Sequence, residues 1–428
     1  MTAPHPTASA ATLPEVEPTR RRPLAAVAAA PLAWLLRRVL SRLLGHVACG
    51  SIEIVLPGGG RLAGRGTRAG PHAAIALRRW RPLGRLALAG DIGLAESYRD
   101  GDWTTPDLPA LLEFGIRNEA SWGGALDASW PARACFRAIH LARANTRRGS
   151  RHNIAFHYDL GNDFYALWLD PALIYSSGLY RDDAISLEDA QAAKLERVTE
   201  LLRLPSLGAD AQVLEIGCGW GALALHLARR HPARVTGLTL SAQQLAHAQT
   251  AARAHGLDPA VDLRLQDYRD VRGEFERIVS IEMLEAVGER YWPVYFATLR
   301  ERLRPGGVAV VQVITIADAH FDKYRRGADF IQRFIFPGGM LPSPGALHAE
   351  AERAGLRLDT AELFGTSYAV TLVEWRRRFL QSWPQIAALG FDDAFLRLWD
   401  YYLCYCEAGF RAGRVDVGLY TLEHADPA

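Results

Sequence analysis

The alternation of strand-like and helix-like segments between residues 212 and 316 constrains the fold of this chain most. Short apolar runs such as QVLEIG, RVTGLTL and FERIVSIEM alternate with helical runs such as ALALHLARR and AQQLAHAQTAARAHG. Such alternation is typical of parallel strands joined by crossover helices. We therefore predict an α/β fold with a doubly wound, mostly parallel, Rossmann-like sheet. A further helix is predicted over LEDAQAAKLERVTELL, where Ser186 precedes the first turn as a capping residue.

The segments before this region predict a separate, smaller α+β domain, and 428 residues are too many for one ordinary core. We predict that residues 1–30, rich in Pro, Thr and Ala, are disordered. Residues 31–144 are predicted to form the α+β domain and residues 145–428 the larger α/β domain. Within the first domain, Gly90–Trp103 is expected to be an acidic loop. The polar, basic segment Asn145–His152 is the candidate linker.

Composition excludes several classes of protein. The formal net charge of +2 gives no indication of nucleic-acid binding. Five scattered cysteines are typical of a reducing compartment and not of a disulfide framework. No uncharged apolar run reaches the ~18 residues that a spanning helix needs, and the N-terminus lacks the layout of a signal peptide. We therefore expect a cytoplasmic protein.

One segment predicts a basic amphipathic helix, Leu32–Leu44. Its leucines recur at helical spacing, while Arg37, Arg38 and Arg42 fall on the opposite face. Two interpretations stay open at this point. The helix lies on an anionic membrane surface, or it packs against its own domain with its arginines in water.

A glycine-rich turn follows the first strand of the alternating region. Gly217, Gly219 and Gly221 lie between QVLEI and ALALHLARR, where glycines let the backbone approach a ligand at a helix N-terminus. The spacing differs from the Gly-x-Gly-x-x-Gly turn of dinucleotide sites, and the next strand ends without an acidic residue for a ribose diol. With the strand end QDY (Gln266–Tyr268), the turn resembles that of methyltransferases that bind S-adenosylmethionine.

The ordered set of motifs resembles the cyclopropane-fatty-acyl-phospholipid synthase family, which is related to the mycolic acid cyclopropane synthases. The matching segments cover roughly residues 50–415 and are GDIGLAESYRDGDW, HYDLGNDFYALWLD, IYSSGLY, LEIGCGWG, GLTLSAQQ, QDYRD, RIVSIEMLEAVG, FIQRFIFPGGMLPS and YYLCYCEAGFRAG. The resemblance implies methyl transfer from S-adenosylmethionine to the cis double bond of an unsaturated phospholipid acyl chain. Loss of a proton from the resulting carbocation would give a cyclopropane. It also implies a lipid-associated N-terminal domain, a homodimer, and a peripheral location at the inner face of the cytoplasmic membrane.

The resemblance further assigns the residues that hold the cofactor. In the family, the aromatic segment HYDLGNDFYALWLDPALIYSSGLY folds over the cofactor and helps to wall an acyl tunnel. Aromatic faces attract a sulfonium or a carbocation and keep water out. Within this segment, Phe164 and Trp168 are expected to be core residues. The expected cofactor-binding residues are Tyr175, Ser176, Gly217, Cys218, Gly219, Thr239, Gln243, Gln244, Asp267 and Tyr268.

In the family a bound bicarbonate removes the proton, and the matching positions here are Glu285, Tyr368, Cys406, Ser177 and Gln312. The last two depart from the family, because Ser177 replaces a cysteine and Gln312 replaces a histidine. A glutamine amide can donate a hydrogen bond but cannot carry a proton. Glu285 stands among apolar residues and needs a partner or a raised pKa.

Gln312 therefore puts the expected bicarbonate and the cyclopropane product in doubt, and not the methyl transfer. Alternatives are a methyl-branched or methylene-bearing chain, another lipophilic acceptor, or a lipid-binding protein without chemistry. No metal site is predicted, because no histidine or cysteine cluster accompanies Cys404 and Cys406.

Overall fold

The computed structural model describes residues 34, 36–123, 129–143, 145–146, 149–150, 160–182, 185–208 and 210–425. The predicted disorder of residues 1–30 lies outside this part of the chain. So does the start of the aromatic segment, including His157 and Tyr158.

The described chain forms two compact units. The first comprises the residues up to Arg133 together with Asp392–Ala412. The second comprises Ala134–Phe391 and the residues from Gly413 onward. The predicted two-domain division placed everything after residue 144 in the second domain, so the segment Asp392–Ala412 differs from that prediction.

The first unit contains a four-stranded sheet of order β2-β1-β3-β4 among its described residues. β1 pairs antiparallel with β2 and parallel with β3. The strands are β1 (Cys49–Val55), β2 (Arg61–Arg65), β3 (Arg68–Leu77) and β4 (Trp103–Thr104). The helices are 36–44, Arg81–Arg99, Leu108–Asn118 and Asp393–Arg411.

The segment predicted as an acidic loop, Gly90–Trp103, is mostly helical, and that prediction was wrong. The helix Arg81–Arg99 continues through a kink at Gly90, whose φ is 60°. Ile92 and Ala95 are each 1% exposed, so an apolar stripe at helical spacing outweighs the acidic composition of the segment.

The helix Asp393–Arg411 packs within the first unit through polar contacts with the helix Arg81–Arg99. The Tyr98 hydroxyl donates to Asp400 Oδ2 at 3.0 Å, and Arg397 Nε donates to the carbonyl of Arg99 at 2.8 Å. These partners lie about 300 residues away in sequence, so local patterns could not reveal them.

The helix 36–44 packs against the protein through leucines in its second half, whereas side chains nearer its start are exposed to solvent. Leu40 and Leu44 are each 9% exposed, whereas Trp34 is 61% and Val39 47% exposed. Arg38 lies over the ring of Trp34, 5.3 Å from its centroid. Within the described residues, no helix is both long enough and apolar enough to cross a bilayer.

The second unit is built on a seven-stranded sheet of order β10-β11-β9-β8-β5-β6-β7. Strands β5 to β9 pair in parallel, and β11 pairs antiparallel with β9 and β10. The strands are β5 (Gln212–Ile216), β6 (Arg234–Thr239), β7 (Val261–Leu265), β8 (Phe275–Ile281), β9 (Leu303–Ile316), β10 (Leu356–Leu363) and β11 (Val415–His424). The predicted fold class, a doubly wound Rossmann-like sheet with a smaller α+β domain, is confirmed.

Helices connect and cover these strands. They are Asn162–Ala166, Leu187–Leu201, Ala222–Arg230, Ala242–Ala254, Trp292–Arg302, Asp318–Tyr324, Phe330–Phe334, Pro344–Arg353, Gly365–Gln381 and Trp383–Ala388. The helix Trp130–Ala142 begins in the first unit and ends in the second, because the division falls after Arg133. The Ser186 cap is present, since its side chain accepts from the backbone N–H of Asp189 at 3.1 Å.

The described part of the candidate linker packs into the second unit. Asn145 is 4% and Ser150 9% exposed. Asn145 Nδ2 donates to the carbonyl of Gly338 at 2.8 Å, and Ser150 Oγ donates to the carbonyl of Asn145 at 3.1 Å. These buried partners are not those of a solvated linker.

The strand order positions the site. β5 lies between β6 and β8, so the chain connections diverge on either side of β5. In doubly wound sheets, ligands bind outside the carboxyl ends of the strands at this switch point. β5 ends immediately before Gly217 and β8 ends immediately before Glu282. Both segments therefore emerge at the same edge of the sheet.

Candidate active site

The glycine turn after β5 has a backbone that only glycine adopts readily. Gly217, Gly219 and Gly221 have φ values of 85°, 52° and 91°. A Cβ on Gly217 would lie 3.0 Å from Met283 Cγ, and one on Gly221 would lie 2.9 Å from Ala248 Cβ. The turn is therefore fixed against the segment that follows β8. The backbone N–H groups of Gly217 and Cys218 donate to the carbonyl of Leu238.

The end of β6 places a pair of neutral polar side chains beside this turn. Thr239 Oγ1 donates to Gln244 Oε1 at 2.8 Å, and both residues are buried. Gln244 Nε2 lies 4.0 Å from the Cβ position of Gly219. Gln243, by contrast, is exposed. Neutral groups of this kind can hydrogen-bond a ribose where other enzymes use a carboxylate.

The two predicted cofactor residues after β7 are both engaged in the protein. The buried carboxylate of Asp267 pairs with Arg269, with Oδ2 2.6 Å from Nη2. Tyr268 belongs to the hydrophobic core, with its ring 5.7 Å from that of Tyr295. Its hydroxyl has no hydrogen-bond partner among the described residues. Asp267 would therefore contact a ligand while it keeps its ion pair with Arg269.

The described part of the aromatic segment forms one ring cluster. Tyr175 lies 5.4 Å from Tyr165, 5.6 Å from Trp168 and 5.3 Å from Trp375, centroid to centroid. Phe164 and Trp168 are each fully buried. Tyr175 is only half-buried. Tyr175 thus lies at the edge of a cluster whose interior is packing.

The turn Ser176–Ser177 is held by a buried lysine and a buried glutamine. Lys194 Nζ donates to Ser176 Oγ at 2.5 Å, and Gln191 Nε2 donates to the carbonyl of Ser176 at 2.8 Å. Burial lowers the pKa of Lys194 to about 8, while the charges of Glu282, Asp170 and Glu215 oppose that shift. An ammonium thus lies beneath the turn that the sequence assigned to the cofactor.

Glu282, the residue after β8, receives three hydrogen bonds. Ser177 N and Gln312 Nε2 donate to Oε1 at 2.9 and 2.7 Å, and the Tyr368 hydroxyl donates to Oε2 at 2.6 Å. Burial raises the pKa of Glu282, while these donors and the charge of Lys194 act in the opposite direction. Its φ of 48° is left-handed, a strain of about 1–2 kcal/mol for a residue other than glycine.

Glu285 lies one turn further on, with one oxygen engaged and one without a partner. Oε1 accepts from the backbone N–H of Ile314 at 2.5 Å, while Oε2 is buried and accepts no hydrogen bond from the described residues. Burial, and next the charge of Glu282, raises the pKa of Glu285 to about 8. This carboxyl can thus hold a proton near neutral pH.

The structure brings Ser177, Gln312 and Tyr368 together on Glu282, with Glu285 adjacent. Ser177 acts through its backbone N–H, since its hydroxyl donates to the carbonyl of Gly178. Cys406 lies on the helix Asp393–Arg411 in the first unit and is half-buried. Among the described residues, no three His, Cys, Asp or Glu side chains gather as a metal site would require.

Sequence reasoning missed Glu282 and Lys194. The sequence position of each residue could have indicated its role. Glu282 directly follows a parallel strand next to β5, where ligand-binding residues are expected. Lys194 falls on the buried face of the helix Leu187–Leu201, in register with Leu187, Ala190, Gln191 and Val198. A lysine on an apolar stripe indicates a buried charge and hence a partner.

The sheet order and the glycine turn at its switch point define a Rossmann-like domain with a ligand site at the carboxyl ends of its strands. The chain belongs to the mycolic acid cyclopropane synthetase family, whose family model matches residues 145–419. The predicted family resemblance and the predicted enzyme class, an S-adenosylmethionine-dependent C-methyltransferase, are thereby confirmed.

Two curated relatives and one solved structure are similar to this chain in sequence or in fold. It is 36% identical to the tuberculostearic acid methyltransferase of Mycobacterium tuberculosis, over 97% of this chain and 96% of the relative. It is also 36% identical to the cyclopropane-fatty-acyl-phospholipid synthase of Escherichia coli, over 77% and 82% of the two chains. A mycolic acid cyclopropane synthase solved with SAH and CTAB superimposes with a TM-score of 0.58 at 29% identity, over 64% of this chain and 97% of that one.

S-adenosylmethionine supplies the methyl group in this class of enzyme. The residues at the switch point suit such a ligand, because three glycines with positive φ leave the backbone of the turn without side chains. Thr239 and Gln244 provide neutral polar atoms next to it.

Proposed function

We propose that the protein transfers a methyl group from S-adenosylmethionine to the cis double bond of an unsaturated phospholipid acyl chain. The observation that carries this proposal is the contact between the glycine turn and the Glu282–Glu285 segment. A Cβ on Gly217 would lie 3.0 Å from Met283 Cγ, closer than an ordinary contact, and Met283 stands between Glu282 and Glu285 in the chain. A methyl donor on the turn would thus lie beside groups that can accept the proton lost after methyl addition.

This proposal assigns the binding of S-adenosylmethionine to particular residues. We propose that Tyr175, Ser176, Thr239, Gln244 and the backbone of Gly217–Gly219 hold the ligand, with Asp267 contributing beside its ion pair. Tyr268 and Gln243 receive less support from their positions, because one is a core residue and the other is exposed. The Tyr175 ring face suits a sulfonium.

The acyl-chain substrate is supported by the relatives. Their names include a tuberculostearic acid methyltransferase and a cyclopropane-fatty-acyl-phospholipid synthase. The buried ring cluster around Tyr175 and Trp375 provides an apolar wall that keeps water from a carbocation. These observations favour an acyl chain over another lipophilic acceptor or a role without chemistry.

For the product we propose a methylene-bearing chain, or a methyl-branched chain that keeps a double bond. Gln312 is the residue that supports this choice, since it departs from the histidine that the family resemblance implies for cyclopropane formation, and an amide cannot relay a proton. The relative matched over 97% of this chain is named as a methyltransferase. The cyclopropane chain is the second candidate product, favoured by the family match and by the Escherichia coli relative.

The substrate lies in a bilayer, so the protein must meet a membrane surface. We propose that the start of the helix 36–44, with Arg37, Arg38 and Arg42, makes this contact at the inner face of the cytoplasmic membrane. Trp34 and Val39 are exposed on the same short segment. Exposed aromatic and basic residues together are typical of interfacial helices. A homodimer, as the family resemblance implies, remains part of this proposal.

The proposal is tested with purified protein, methyl-labelled S-adenosylmethionine and two vesicle preparations. One contains cis-unsaturated phospholipid and the other its saturated counterpart with the same headgroup. We expect label in the unsaturated lipid alone. Label in neither lipid, although calorimetry detects binding of S-adenosylmethionine, would overturn the acyl-chain substrate.

A further inference from the structure

Three of the residues expected at the bicarbonate site, Ser177, Gln312 and Tyr368, already direct hydrogen bonds at a carboxylate of the protein. The Ser177 backbone N–H and the Tyr368 hydroxyl carry one hydrogen each, and both point to Glu282. Gln312 Nε2 also donates to Glu282, at 2.7 Å. The residues present thus do not fit a bound bicarbonate, because Glu282 takes the place of the anion.

The backbone holds Glu282 in this position. Its own N–H donates to the carbonyl of Gln312 at 2.9 Å. The pairing of β8 with β9 sets Ile281 opposite Gln312, so the residue after Ile281 must emerge beside that amide. Glu282 also adopts a left-handed φ of 48°. A strained residue that the surrounding hydrogen bonds enforce is typical of functional sites.

The surroundings leave Glu282 able to accept a proton. Glu282 as a whole residue is only partly buried, although its carboxyl group is desolvated enough for burial to raise its pKa. The charged and titratable groups that face it are Lys194, Glu285 and Tyr368. Lys194 and the three donors stabilise its carboxylate form, while Glu285 shares the same apolar surroundings with a pKa raised to about 8. Glu282 is therefore the carboxyl of the pair that stays ionised more readily.

We propose that Glu282 is the base that removes the proton from the methylated acyl cation, in place of bicarbonate; this inference rests on the proposed function. The C–H bond that breaks leaves its electron pair to the cationic carbon, which closes a ring or forms a double bond. The proton forms an O–H bond with a Glu282 oxygen and passes to water after product release. No oxidant or reductant is needed.

The first test measures bicarbonate dependence. The full-length protein, unsaturated phospholipid vesicles and methyl-labelled S-adenosylmethionine are combined in buffer freed of carbon dioxide, with and without added bicarbonate. We expect the wild-type rate to be equal in both. A wild-type rate that collapses without bicarbonate and returns with it would overturn the proposal. A wild-type protein that labels no lipid in either buffer would overturn the proposed function itself, and the base role with it.

The second test replaces the carboxylate. Glu282→Gly suits the left-handed φ and leaves a space, and we expect its rate to fall about 100-fold or more without bicarbonate. Added bicarbonate should raise the rate of Glu282→Gly at least about tenfold, because the donors that Glu282 no longer occupies can then hold bicarbonate. Glu282→Gln fills the space and should be slow in both buffers. A Glu282→Gly variant as fast as wild type in bicarbonate-free buffer would contradict the role.

Matched controls separate the base role from folding. Glu274→Gly removes an exposed carboxylate from the loop before β8 and should leave every rate unchanged. Both Glu282 variants should still unfold in a single cooperative transition, and their calorimetric Kd for S-adenosylmethionine should match wild type. If the Glu282→Gly variant binds S-adenosylmethionine like wild type yet stays inactive with bicarbonate, while Glu282→Gln keeps the wild-type rate, the proposal is overturned.

Discussion

Burial shifts the pKa values of several ionisable residues of the second unit. It raises the pKa values of Glu215 and Glu285 to about 8 each and lowers that of Lys194 to about 8. The sequence predicted that Glu285 would need a partner or a raised pKa, because its neighbours are apolar. Glu282 was not predicted, since its role depends on the register between β8 and β9 and on a tyrosine 86 residues away. The place of Glu282 directly after a parallel strand indicates a ligand-binding residue, but its hydrogen-bond partners leave no local pattern.

Removal of the Tyr368 hydroxyl should slow the reaction and shift its pH dependence. In Tyr368→Phe, Glu282 loses a donor that favours its carboxylate form, so its pKa rises. A hydrogen bond to a charged group contributes about 1.5–3 kcal/mol, or about one to two pKa units, so we expect a rate about 10–100-fold lower on the acidic limb. The acidic limb of the pH–rate profile should move to higher pH, because the base must be ionised.

The matched control for this variant is Tyr291→Phe, which keeps the ring that Arg269 and Arg290 approach. Its profile should coincide with that of wild type. An acidic limb that stays in place in Tyr368→Phe would show that this hydroxyl does not act on the titrating base.

Replacement of Glu285 should change how stability depends on pH. The folded-state pKa of about 8 lies above the ordinary value of 4.5, so the folded protein binds the proton more tightly. Stability from this group is present below about pH 4.5 and is lost as pH rises toward 8. Glu285→Gln should therefore melt close to wild type at pH 5 and at a higher temperature at pH 8.

Thermal unfolding across this pH range checks the prediction, with Glu274→Gln as the exposed control. The melting temperature of wild type should fall more steeply with rising pH than that of Glu285→Gln. Glu215, which also has a raised pKa, contributes a pH dependence of its own in both proteins. Parallel curves for wild type and Glu285→Gln would mean that Glu285 is ionised in the folded protein at pH 8.

At the scale of elements, the sequence predicted the parallel strands because each is an apolar run bounded by a helix. It also predicted the glycine turn and its place between β5 and the helix Ala222–Arg230. The helix through Gly90 was mistaken for a loop, because its acidic and glycine residues obscured the stripe that contains Ile92 and Ala95. The acidic composition of this segment reflects its exposed face, whereas the packing of its buried apolar face stabilises the helix.

A side chain on the glycine turn should disrupt ligand binding. Gly217→Ala introduces a Cβ at a φ of 85° and 3.0 Å from Met283 Cγ. The left-handed backbone alone costs about 1–2 kcal/mol for an alanine. We expect calorimetry to give a Kd for S-adenosylmethionine at least about tenfold higher.

Gly208→Ala is the control for this variant, because Gly208 has open space around its Cβ position and no positive φ. It should bind and melt like wild type. Wild-type affinity in Gly217→Ala would mean that the turn does not approach the ligand.

At the scale of the whole molecule, the division into two units was predictable from length, but its boundary was not. The segment Asp392–Ala412 joins the first unit across hundreds of residues, through contacts such as that of Tyr98 with Asp400. Only the aromatic and apolar face of this helix was visible in the sequence, and several surfaces could have covered it. Cys406 lies on that helix, so its assignment to the reaction stays a prediction.

Reversal of the basic charges at the N-terminal helix should weaken membrane binding. Arg37, Arg38 and Arg42 are exposed, and each basic residue near an anionic surface contributes about 1 kcal/mol. The triple substitution to Glu should reduce co-sedimentation with anionic vesicles by more than tenfold, and the loss should shrink at high salt.

The control makes the same charge change at three exposed arginines of the second unit, Arg229, Arg253 and Arg326. It should bind vesicles much more strongly than the first triple variant. Equal binding by the two variants would rule out docking through the helix 36–44.

The central claim is that a methyl group added to an acyl double bond leaves a methylene-bearing chain, or a methyl-branched chain that keeps a double bond. The most direct measurement is proton NMR of the lipid formed from cis-unsaturated phospholipid and methyl-labelled S-adenosylmethionine. We predict label in branched-methyl or olefinic signals. High-field cyclopropane protons that carry the label, with no branched or olefinic signal, would contradict that product and establish the cyclopropane instead.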